Sequence, residues 1–103
     1  MQPEIKTWLG GARLDSFNAT WPFARLTATR ELLTLRVVWA GLFEFKPEHV
    51  RNLTEFGFIP FLGKGVQIHH HVPDYPARVV FWHFSWSVSW LIEELRRLGY
   101  AAV

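Results

Sequence analysis

The chain contains no cysteine. Disulfide staples and thiolate metal sites are therefore excluded, and the residues must form a core by packing alone. It has no uncharged apolar run near the roughly 18 residues of a membrane-spanning helix; the longest, Val37 to Phe43, is far too short. The opening residues, Met1-Gln2-Pro3-Glu4-Ile5-Lys6, lack the apolar stretch of a secretory leader. Excess charge of one sign is missing too. Eleven Lys and Arg face nine Asp and Glu, and Arg96-Arg97 is the only adjacent basic pair. Neither a nucleic-acid footprint nor a polybasic lipid anchor is expected from that balance. The reading is of a soluble, cytoplasmic protein without a transmembrane segment.

What the chain has is apolar and aromatic. Half of its 103 residues are hydrophobic and 17% are Phe, Trp or Tyr, far from the composition of disorder. A chain this long can bury roughly 60–70% of its unfolded surface, enough for one core. No repeat, linker or low-complexity tract divides it, so residues 1–103 read as a single domain.

Short apolar runs ended by turn residues recur along most of the length, which points to a barrel or sandwich. Strands are expected at Thr7 to Leu14, bent at Gly10-Gly11, and at Phe23 to Thr29, starting after Pro22. Leu32 to Trp39 alternates cleanly, with Leu33, Leu35, Val37 and Trp39 assigned to one face and Thr34 and Arg36 to the other. Leu42 to Lys46 follows, with Phe43 and Phe45 together and Pro47 as its end. Val50 to Phe56 is a less regular strand, and the stretch from Gly57 to Gly65 reads as loop. Val66 to His71 and Arg78 to Phe84 form a hairpin across Val72 to Ala77, with Val66, Ile68 and His70 set opposite His83, Phe81 and Val79. After Phe84 the rhythm changes. Val88, Leu91, Ile92, Leu95 and Leu98 recur at helical spacing, capped by Ser85 or Ser87 and stopped by Gly99.

The expected fold is therefore mainly β, about seven antiparallel strands closed by one C-terminal α-helix. This order resembles the pleckstrin-homology-like (PH-like) barrel, and in particular small uncharacterised bacterial members of that superfamily. The stretches that carry the resemblance are Ala24-Arg25-Leu26, Leu33-Thr34-Leu35-Arg36-Val37, Phe45-Lys46-Pro47-Glu48-His49-Val50, Gly65-Val66-Gln67-Ile68-His69-His70 and Val79-Val80-Phe81-Trp82, followed by the terminal helix. The resemblance spans roughly residues 10–100 and is one of element order rather than of a motif. It implies binding without catalysis, by self-association or peptide capture. Some members hold phosphoinositides with a Lys-rich first hairpin. Between Leu14 and Phe23 this chain has no Lys or Arg, so phosphoinositide is not expected here.

Chemistry-bearing residues are few. His69-His70-His71 would place His69 and His71 on one strand face without cysteine or a close carboxylate other than Asp74. Solvent-facing histidine explains them without a metal. His83 with Ser85, Ser87 and Ser89 lacks a nucleophile turn and an oxyanion loop, and capping explains the serines. No enzyme activity and no cofactor is expected.

The remaining signal is apolar. Phe58, Ile59, Phe61 and Leu62 lie in the Gly57–Gly65 stretch, and Trp86 and Trp90 flank the helical stripe. The segment is either a lid on the barrel mouth or an exposed patch, with the lid slightly favoured because isolated monomers rarely leave such patches bare. These six residues form the candidate interaction surface of a non-enzymatic interaction or assembly module, acting by protein binding or self-association. The alternative is a barrel that binds a small ligand or lipid, at a membrane surface or free of it.

Overall fold

The computed structural model describes residues 4–59, 63–82 and 88–102, and for 57–59, 63 and 64 the backbone alone. Seven strands, β1 (Lys6–Leu14), β2 (Phe17–Ala28), β3 (Leu33–Val37), β4 (Gly41–Phe45), β5 (Val50–Ile59), β6 (Gly63–His70) and β7 (Val79–Trp82), precede one helix, α1 (Val88–Arg97). All neighbours are antiparallel, in the order β4-β3-β2-β1-β7-β6-β5. The sheet curls into a half-barrel whose edges are β4 and β5. The expected mainly-β architecture with a closing helix is what forms. None of the described helices is long and apolar enough to cross a membrane.

The alternation seen in sequence sets the inner face. Ala24, Leu26 and Ala28 of β2, Leu33, Leu35 and Val37 of β3, and Phe45 of β4 are all buried in one cluster with Leu53, Ile68, Val79 and Phe81. Those side chains need a cover, and α1 supplies it with Leu91, Ile92 and Leu95, packing on β5 and β6. Gly99 takes φ +111° just past the last turn. There Gly99 N–H donates to the Arg96 carbonyl at 2.9 Å and Tyr100 N–H to that of Leu95 at 3.1 Å, the paired bonds of a left-handed helix stop. Ser85 and Ser87, the expected caps, lie outside the described residues.

Beyond that stop the buried Tyr100 reaches back across the sheet, and its hydroxyl donates to the Thr29 carbonyl at 2.7 Å. Burial, with the Glu31 charge adding to it, pushes this phenol up to about 12 from its usual 10.0. The folded chain holds the proton more tightly than the unfolded chain, so stability is full below pH 10.0 and falls as pH rises through about 12. Urea unfolding between pH 9 and 12 should show that fall, and Tyr100→Phe should flatten it.

Three expectations about the strands need correction. Pro22 does not delay β2, which begins at Phe17 and runs through it. Opposite β1 the register jumps from Gly10↔Ala24 to Ala12↔Ala19, so residues 20–23 bulge past Gly11 without ladder partners there. The β3 ladder also stops at Ala24↔Val37. Proline sits where its missing donor costs nothing on either side. Gly11 is needed at this bulge, because a β-carbon would collide with the Trp82 ring and the Ala19 carbonyl.

Within the stretch expected as loop, residues 57–59 and 63–65 are strand, and residues 60–62 lie outside the described residues. The β5 strand continues to Ile59 and β6 starts at Gly63, with Phe56 opposite Gly65 and Ile59 opposite Gly63. A register shift between Phe56 and Ile59 absorbs the extra length. The β6–β7 hairpin is also slipped by two residues from the expected pairing. Val66 faces Phe81 and Gln67 faces Val80, which centres the hairpin between Pro73 and Asp74 rather than at Asp74-Tyr75.

Candidate functional site

The histidines carry the most chemistry in the chain. His70 is tied by both ring nitrogens. Nδ1 accepts from Val72 N–H at 3.0 Å, and Nε2 lies 2.8 Å from the Pro76 carbonyl, which requires the proton on Nε2. Its ring stands 5.0 Å from that of Phe45 and 6.2 Å from that of Tyr75. His69 Nε2 lies 2.8 Å from the Thr54 hydroxyl. His49 Nδ1 accepts from Lys46 N–H, and His71 packs edge-on against the His49 ring at 6.1 Å. These contacts are turn and strand fasteners. Among the described residues no three His, Asp or Glu side chains gather as metal ligands. His83 lies outside the described residues.

These rings close the seam between the sheet edges. Phe43 and Phe45 meet Tyr75 at 5.2 and 5.3 Å, and Glu44 N–H donates to the Tyr75 hydroxyl at 3.1 Å. A free donor on edge strand β4 is thereby covered by the β6–β7 connection, which blunts a pairing-prone edge.

Of the six residues singled out from sequence, Phe61, Leu62 and Trp86 lie outside the described residues, as do the side chains of Phe58 and Ile59. Trp90 can be placed. It is 50% exposed on α1, with its ring edge-on to that of Trp8 at 6.4 Å. Trp8 faces the core, so Trp90 sits on the helix side of β1.

A different apolar surface stands on the opposite, outer face. Leu9 of β1, Phe23 of β2 and Leu42 of β4 are exposed, and so are Val38 and Trp39 in the β3–β4 turn. Trp39 was expected on the inner face with Leu33, Leu35 and Val37. It is instead 83% exposed, because the strand ends at Val37 and Trp39 takes φ +68°, which turns its side chain outward. The ring settles 5.6 Å from that of Phe23. Val38 N–H donates to the Phe23 carbonyl at 3.0 Å, fixing the turn to β2.

Between these apolar groups lie two cations. Leu9 pairs with Arg25, Arg25 with Arg36, and Arg36 with Leu42, one row across four strands. Cross-strand partners share a face, so both guanidinium groups project outward with a leucine on either side. Both are exposed. No carboxylate among the described residues forms an ion pair with either. The nearest acidic position on the face is Glu44, in the next row opposite Thr34.

No known family model, curated protein or solved structure matches this chain.

The remaining ion pairs are elsewhere and have a structural use. Arg97 grips Glu4 through two bonds at 2.6 and 2.9 Å, and Lys6 reaches Glu94 at 3.7 Å. The guanidinium holds the Glu4 carboxyl down to about 2. Both pairs fasten α1 to the start of β1, and as exposed pairs they add little to stability.

The outer surface is hidden in the sequence because strand parity places Trp39 inward, and Arg25 and Arg36 are far apart along the chain. The available signal was Ala40-Gly41 directly after Trp39, a turn that takes the last alternating residue out of the strand.

Proposed function

We propose that this chain is a non-enzymatic interaction module that binds a protein partner through the outer face of β1–β4. The observation that carries the reading is the exposed group Phe23, Val38 and Trp39, continued by Leu9 and Leu42 across the strand row. Isolated soluble chains seldom leave large aromatic and aliphatic groups contiguous on their surface. Tryptophan and arginine are also the side chains most often responsible for interface energy. The strand order and the single closing helix support the resemblance to PH-like domains, whose members bind without catalysis. Packing supports it as well, since both ring nitrogens of His70 are used within a turn and His69 is bonded to Thr54 across β5 and β6.

The test is selection of a displayed library of random ten-residue peptides on the full chain and on a Phe23→Ser/Trp39→Ser double variant. Peptides should be retained by the parent chain and lost, by about tenfold or more in affinity, by the variant. Both substituted side chains are exposed, so the variant should keep the parent's circular dichroism. Equal retention by both chains would overturn the reading.

A further inference from the structure

We infer that the partner is an acidic peptide segment, one that sets carboxylates on Arg25 and Arg36 while its apolar side chains rest on Phe23, Val38 and Trp39. The inference rests on the outer face being the contact surface. Its own basis is charge. Like charges directly opposite in neighbouring strands oppose folding. Arg25 and Arg36 are direct cross-strand partners, and among the described residues no carboxylate forms an ion pair with either. Neighbouring strands are about 4.8 Å apart, so the two guanidinium forks lie within reach of a single pair of carboxylates. Arginine is suited to that task because its planar fork accepts a carboxylate through two parallel bonds. A shallow groove is lined by the arginine pair together with Leu9, Pro22, Phe23 and Val38. Carboxylates entering there would relieve the repulsion and cover the apolar rim in one step.

A second copy of the chain fits the surface less well. A two-fold contact centred on this row would set the arginine pair of one protomer against that of the other, adding repulsion instead of relieving it. A membrane also fits less well. Two isolated cations, each worth about 1 kcal/mol near an anionic bilayer, give little hold without a polybasic segment, and the chain has only one adjacent basic pair.

The library selection decides the matter when run on a further variant, Arg25→Gln/Arg36→Gln. The inference requires that the selected peptides be net acidic, with two carboxylates within a few positions of an apolar residue. Their affinity should fall at least about tenfold in the glutamine variant and should weaken as salt rises from 0.05 to 0.3 M. Neutral or basic peptides, or acidic ones that bind the glutamine variant equally well, overturn it. If such peptides are still lost by Phe23→Ser/Trp39→Ser, the contact surface stands and only its acidic partner falls. If neither variant loses them, both readings fall. Sedimentation that shows arginine-dependent dimers, or flotation with phosphatidylserine vesicles in the absence of peptide selection, also overturns the acidic-peptide partner.

Discussion

Phe45→Ala should lower the stability of the chain by about 3–5 kcal/mol, the range for removing a fully buried phenylalanine. Phe45 has no exposed surface and ends edge strand β4. Its ring touches those of His70 and Tyr75, so it joins that edge to the far side of the sheet. The cavity left by alanine would open along the seam where β4 and β5 do not pair. Its neighbours are fixed: His70 by Val72 and Pro76, and Tyr75 by Glu44. They cannot collapse into the space without losing those bonds. Urea unfolding should show a lower midpoint with an unchanged slope. A loss under 1 kcal/mol would mean that the seam does not depend on this ring. Phe43, only partly buried against Tyr75, should tolerate alanine better.

Leu95→Ala should cost about 2–5 kcal/mol. The side chain is fully buried and central to the apolar stripe of α1, between Leu91 and Leu98. Helix propensity is not the cause, since alanine is the better helix former. The effect should come from lost packing on the inner face. Hydrogen exchange distinguishes the two, because weakened docking should speed amide exchange in β5 and β6, on which α1 packs, as well as in the helix itself. Faster exchange confined to α1 would show that the helix does not brace those strands.

The fold was legible because its two rhythms are strong. The Leu33-Leu35-Val37 alternation and the Leu91–Leu95–Leu98 stripe each leave a single face for burial, and Gly99 marks the helix end. The missed features depend on pairing that a single strand does not reveal. Pro22 looks like a strand breaker until the register shows that residues 20–23 have no partner on β1. Gly57 looks like a loop residue until β5 and β6 are paired around it. Trp39 looked inward by parity, and its positive φ reversed it. The candidate site was less legible for the same reason. Arg25 and Arg36 are distant in sequence and isolated among apolar residues, and antiparallel pairing alone makes them neighbours. Leu9 and Leu42 belong to the same row only when four strands are aligned.

A partner should meet the outer side of the sheet and leave the helix side untouched. Amide and indole shifts recorded while the best selected peptide is titrated into the isotope-labelled chain measure this directly. Leu9, Phe23, Arg25, Arg36 and the Trp39 indole should move together, while Leu53, Ile68 and Leu95 stay in place. Shifts confined to α1 and β5, with Trp39 unmoved, would contradict the account.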